Sequence, residues 1–219
     1  MRDTRFTDAD IAYIKTNYVT LGDLCAGRGE SPAAVEGLIA EGRLPKASYV
    51  LPDGTGMFPR DYFRLVDEAG GVEALPRHFA DRYRDARQRE LERQEELDAD
   101  WQAYLAGIYG MCLRELTPET IVRKAALVSS LAETLMLPAP HSDEWRQRLR
   151  EQVGALDALE REFTPDYDRS DARERPPTRD LLVAEARRRY PDAFDGRDDN
   201  ARQRPVNEQR EQERHDERS

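Results

Sequence analysis

Residues 20–63 read TLGDLCAGRGESPAAVEGLIAEGRLPKASYVLPDGTGMFPRDYF, and their punctuation decides the local fold. After Thr20, a run with Leu21, Leu24 and Cys25 is ended by Gly27 and Gly29, which predicts a short helix. Ser31-Pro32 joins an N-cap serine to a proline in the first turn, so another helix is expected there. Val35, Leu38 and Ile39 form its apolar stripe, and Gly42 is its expected C-terminal cap. Ser48–Leu51 is a short β-rich run, Pro52-Asp53-Gly54 a turn, and Met57-Phe58 the return strand. Pro59 is expected to close that strand and open a helix carrying Tyr62, Phe63, Leu65 and Val66, which Gly70-Gly71 ends.

Working outward, Thr7 reads as an N-cap with Asp10 three residues on. Ile11, Ile14 and Tyr18 then share one helical face. Residues 72–163 read as a helical bundle. Pro76 starts or interrupts a helix with Phe79 and Tyr83, and Trp101, Tyr104, Leu105, Ile108 and Tyr109 recur at helical spacing. Residues 84–100 are almost wholly polar, which suits an exposed helix or a connector. Thr117-Pro118-Glu119 opens a broadly apolar helix, expected to be the central buried one. Ser142 caps a last long helix whose stripe is Trp145, Leu149, Val153, Leu156 and Leu159. A loop or strap at 164–178, a helix at 180–190 and an aromatic clamp at Tyr190–Phe194 follow. Beyond Phe194 the apolar content collapses, and the composition predicts disorder. The expected fold is mainly α, with its only sheet in a small β-hairpin wing. The expected division is 7–70, a helical domain at 71–194 and a tail at 195–219.

Net charge is −10 over 219 residues, with a pI near 5.0. A dedicated nucleic-acid binder carries a basic footprint, because phosphate neutralisation supplies most non-specific affinity. The overall balance therefore disfavours DNA. The two cysteines, Cys25 and Cys112, form no CxxC motif, so no structural zinc is expected and both read as packed, reduced thiols. The stretch MRDTRFTDAD reads as too charged for a signal peptide, and with no apolar run of about 18 residues no transmembrane helix is expected. A cytoplasmic protein is expected, with no metal, no cofactor and no membrane partner.

Several strings stand together: LCAGRG at 24–29, SYVLPDGT at 48–55, YGMCLRELTPETIVRK at 109–124, RPPTRD at 175–180 and RRRYPDAF at 187–194. Over roughly residues 8–194 this combination resembles an actinobacterial family of unknown function labelled natural product biosynthesis protein. The resemblance implies a biosynthetic context and transfers no catalytic residue. The N-terminal part is similar to the winged helix-turn-helix of the MerR and excisionase class. There a Gly-Leu-Leu-Pro-like string follows the second motif helix, as Gly42-Arg43-Leu44-Pro45 does here, and Phe58-Pro59-Arg60-Asp61 matches the end of the wing. The departure is in charge. Residues 1–70 hold 8 Lys plus Arg and 11 Asp plus Glu, and Pro32–Glu41 contains no Lys or Arg. A helix without basic or amide side chains has little with which to read bases.

The candidate partner- or nucleic-acid-binding residues are Arg43, Lys46, Tyr49 and Arg60, around the wing. A candidate anion or small-molecule pocket joins Cys112, Arg123, Lys124 and Arg179; within it, one of the two central-helix cations is expected to pair with Glu119 or Glu160. A nucleophilic role for Cys112 would need a base such as His78 or His141. The leading reading is a non-catalytic recognition or accessory protein in natural product biosynthesis that binds a biosynthetic enzyme or peptide. A MerR-like regulator and an enzyme with a pocket in the helical domain are the alternatives. The long amphipathic helices suit a homodimer.

Overall fold

The computed structural model describes residues 6, 8–87, 94–138, 142–161 and 179–194. They fall into two compact units, one ending at Val122 and the other beginning at Arg123. The expected N-cap at Thr7, the strap at 164–178 and the tail at 195–219 lie outside the described residues.

The first unit opens with α1 (Asp8–Asn17), β1 (Tyr18–Thr20) and α2 (Leu21–Cys25). Tyr18 is therefore a strand residue, not the end of a helical stripe. The sheet is three-stranded, because β1 pairs antiparallel with β3 (Gly56–Pro59), Val19 opposite Phe58. β3 also pairs with β2 (Tyr49–Val50), giving the order β1-β3-β2. Thr20 caps α2 in a reciprocal box: its side chain accepts from the Asp23 N–H while the Asp23 carboxylate accepts from the Thr20 N–H. Ser31 caps α3 (Pro32–Ala40) by accepting from the Ala34 N–H. At the other end Gly42 sits at φ 71°, and the Arg43 N–H reaches back to the Leu38 carbonyl at 2.9 Å. The Asp53-Gly54 turn forms as expected, with Gly54 at φ 86°.

Two expectations shift. Pro59 ends β3 but opens no helix; turns over residues 60–63 lead into α4 (Arg64–Ala69). The run from Trp101 to Tyr109 is broken. α6 (Gln94–Leu105) ends, Gly107 takes φ 75°, and α7 (Ile108–Cys112) restarts in a new direction. α5 (Leu75–Ala86) carries Pro76 in its first turn. These helices share one core with the N-terminal elements: Leu21, Val35, Leu44, Phe58 and Tyr62 pack with Phe79, Tyr83, Tyr104, Leu113 and Ile121. The expected division near residue 70 falls inside this unit.

The elbow between α6 and α7 lies against the chain entering β2. The Lys46 N–H donates to the Leu105 carbonyl at 2.8 Å. A Cβ on Gly107 would stand 2.5 Å from the Lys46 carbonyl oxygen, and one on Gly110 would stand 2.2 Å from Ser48 Oγ. The Tyr18 hydroxyl is shared between the Gly110 and Met111 carbonyls at 3.0 Å each. Tyr62 donates to the Pro45 carbonyl at 2.7 Å.

α8 (Pro118–Met136) starts at the expected Thr-Pro-Glu signal and runs across the boundary between the units. In the second unit its Leu131 and Leu135 meet Trp145, Leu149, Val153 and Leu156 of α9 (Asp143–Leu159) and Leu182, Val183 and Ala186 of α10 (Arg179–Arg189). α8 is amphipathic rather than buried all round: Ala125, Ala126 and Ser129 are exposed, and Met136 is 85% exposed. Ser142 caps α9 by accepting from the Trp145 N–H. Tyr190 stacks edge-on against Trp145 at 4.7 Å, closing the predicted aromatic clamp.

Replacing Gly107 by Ala is expected to cost about 2 kcal/mol or more, from a left-handed backbone and a blocked approach together. Gly37 lies mid-helix with open space beyond its Cβ position, so Gly37→Ala should stabilise by about 0.5–1 kcal/mol. Urea unfolding followed through Trp101, in the first unit, reads both.

Candidate functional site

α3 is held by its inner residues and offers the rest to solvent. Val35 is buried, and Leu38 and Ile39 pack on the core. Pro32, Ala33, Ala34, Glu36, Gly37 and Ala40 are exposed. That face is small, smooth and acidic. The nearest cations are spent on carboxylates. Arg28 grips Asp67 with two hydrogen bonds of 2.9 and 2.6 Å, reaches Glu30 at 3.3 Å and lies 4.2 Å over the Phe63 ring. Arg43 pairs with Glu73 and with Glu41.

The four residues proposed around the wing do not form one patch of free charge. Arg43 is neutralised as described. Lys46 has an exposed side chain, while its backbone N–H holds the elbow. Tyr49 is fully buried, edge-on to Tyr18 at 4.8 Å, and its hydroxyl points to the Met111 carbonyl at 3.4 Å. Burial, aided by Tyr18, pushes its phenol well above the usual tyrosine range. Tyr49 is a core residue, and a ligand would not reach its ring. Arg60 is exposed and donates to the Thr16 carbonyl at 3.2 Å.

The second predicted set divides between the units. Cys112 belongs to the first, where its half-buried thiol lies 3.7 Å from the Tyr109 carbonyl. Arg123 and Lys124 belong to the second. Arg123 is exposed. Lys124 is 13% exposed and meets Glu160, 2% exposed, at 2.6 Å, so it is the lysine that pairs inward, with one of the two carboxylates anticipated. Arg179 is the first residue of α10; its side chain is outside the description, as is His141. His78 lies in the first unit with Nε2 buried and unpartnered.

Two groupings escaped the sequence. Asp100 accepts from Tyr83 at 2.6 Å and from Tyr109 at 2.5 Å, tying α5, α6 and α7 together. Burial first, then the Asp100 bond, raises both phenols beyond the usual range. Their spacing in the chain carries no shared motif, so only the fold could join them. The other is a cleft of about 300 Å³ beside the Asp53-Gly54 turn, lined by Lys15, Thr20, Asp23, Asp53, Thr55 and Arg60 over Val19, Leu51 and Met57. The Thr20–Asp23 capping spacing and the Asp53 turn were its visible signals. Among the described residues no three His, Cys, Asp or Glu side chains gather as metal ligands, and no helix is long and apolar enough to cross a membrane.

A family model, described as a family of unknown function (DUF6058), matches residues 75–191, more than half of the chain, and the chain belongs to that family. No curated protein matches it, and no solved structure does.

Two stability tests follow from the ion pairs. Lys124→Met removes the cation paired with the buried Glu160 carboxylate and is expected to cost about 3 kcal/mol, most of it recovered in Lys124→Met/Glu160→Leu. Trp145 fluorescence in urea reads this unit. Asp67 is half-exposed, and the Arg28 hydrogen bonds hold its carboxyl below the usual range despite partial burial. A depressed folded value means stability that is present above the unfolded value near about 4 and lost as pH falls through the folded one. The small urea-midpoint gap between the native chain and Asp67→Asn should therefore be open at about pH 6 and close progressively as pH falls below about 4.

Proposed function

We propose that this member of DUF6058 is a non-catalytic recognition or accessory protein in natural product biosynthesis, whose N-terminal winged helix-turn-helix binds a partner protein or peptide. The element order α1-β1-α2-α3-β2-β3 and the strand order β1-β3-β2 support the winged reading. In that reading α3 is the recognition helix. The observation that carries the partner reading is the solvent face of α3: Ala33, Ala34, Glu36, Gly37 and Ala40, with no side chain able to read a base edge or grip a phosphate. Small side chains let another polypeptide approach closely, and the acidic rim favours a partner with basic flanks. Strand addition along β2 is the weaker route, because the elbow at Leu105–Gly107 occupies the chain leading into that edge.

The same element order is what favours the second reading, a MerR-like DNA-binding regulator. Its difficulty is that Arg28 and Arg43 already hold carboxylates.

Anisotropy of labelled duplex from the gene's own upstream region, at low and high salt, separates the two. No binding at low salt is expected. Saturable binding that weakens steeply with salt would replace the partner reading with the regulator. In cells, a photo-crosslinking residue at position 33 should capture a discrete partner protein, and one at the buried position 35 should not.

A further inference from the structure

The cleft beside the Asp53-Gly54 turn gathers charges of both signs, Lys15 and Arg60 with Asp23 and Asp53. Arg28, Arg43, Arg64, Arg82 and Arg87 each sit on a carboxylate. Lys15 and Arg60, both on the rim of the cleft, make no salt bridge among the described residues. Arg60 spends one N–H on the Thr16 carbonyl, and a guanidinium has five to give.

The rim also carries Asp23 and Asp53. Each is anchored by its own turn. Asp23 Oδ2 accepts from Thr20 N at 3.1 Å and Thr20 Oγ1 at 2.7 Å, and Asp53 Oδ1 accepts from Thr55 N at 2.9 Å. An ionised carboxylate has about four acceptor positions, so both retain capacity toward the cleft. The rim thus bears two cations and two anions over a floor of Val19, Leu51 and Met57, of which Leu51 and Met57 are buried. A simple anion would meet Asp23 and Asp53, and a simple cation would meet Lys15 and Arg60. A molecule carrying both charges and one apolar group meets complementary partners throughout. The volume of about 300 Å³ is at the small end of ligand sites.

We propose that this cleft binds a small zwitterion with an apolar side chain, a free amino acid or dipeptide. Its carboxylate sits on Lys15 and Arg60, its ammonium faces Asp23 and Asp53, and its side chain rests on Val19, Leu51 and Met57. The proposal goes beyond partner recognition by α3 and does not depend on it.

The test is an amide-resolved NMR titration of the full chain with L-leucine and leucyl-leucine. Three analogues each remove one element: N-acetyl-leucine the ammonium, leucinamide the carboxylate, glycine the side chain. Saturable shifts at Val19, Thr20, Thr55 and Met57 are expected with leucine or its dipeptide, each analogue binding about fivefold more weakly or worse. Lys15→Gln and Arg60→Gln should each weaken binding two- to about fivefold. Lys15 is exposed and makes no side-chain hydrogen bond or salt bridge among the described residues, so that variant separates binding from folding. The proposal is overturned if neither zwitterion shifts these amides at low-millimolar concentration. It is equally overturned if N-acetyl-leucine or uncharged N-acetyl-leucinamide binds as well as leucine, which would make the cleft an anion site or a bare apolar one.

Discussion

The first unit depends on one close approach, that of the α6–α7 elbow to residues 45–49. Gly107 has no Cβ, and the Lys46 and Ala47 carbonyls occupy the space one would need. That contact lets the Lys46 N–H reach Leu105 and brings the Gly110 and Met111 carbonyls to the Tyr18 hydroxyl. Tyr18, Tyr49 and Tyr62 can then be buried whole, because each phenol finds a main-chain carbonyl. A buried hydroxyl left unpaired would instead cost most of what its ring contributes. The shared core of residues 21–121 follows from this geometry.

Local signals in the chain were legible where a short-range rule governs. Ser31 and Ser142 cap the helices they were expected to cap, the helix expected after Thr20 forms, and Gly42 and Gly54 take the positive φ their places suggested. The stripe Trp145, Leu149, Val153, Leu156 and Leu159 is buried in full. What failed depended on distant partners. Tyr18-Val19-Thr20 is too short to announce a strand and becomes one only because β3 lies beside it. The run Trp101–Tyr109 keeps helical spacing across a break that a single glycine makes. Of the candidate residues, Lys124 pairs inward as a buried charge should, while Tyr49, expected as a binding residue, is core, edge-on to Tyr18 with its hydroxyl toward the Met111 carbonyl.

Charge tells a similar story. A count of cations and acids gives the sign of the molecule but not which cations remain available. Arg28, Arg43, Arg64 and Arg82 are drawn off by acids from other elements, several of them far along the chain. Such exposed pairs add little stability singly. Their effect is on what the surface can attract. Lys15 and Arg60, which make no salt bridge among the described residues, meet at one cleft, and α3 is left with a smooth, faintly acidic face.

The elbow has one more consequence. A β-sheet with two open edges can recruit further copies from either side, and such edges seed fibrous association. Here the chain entering β2 already gives a main-chain bond to Leu105, and Gly107 lies flat against the next carbonyls. Lateral growth on that side would have to displace a helix turn of the same molecule. On that side the sheet therefore resists open-ended growth through topology, in addition to the Pro45-Lys46 and Pro52 that flank β2.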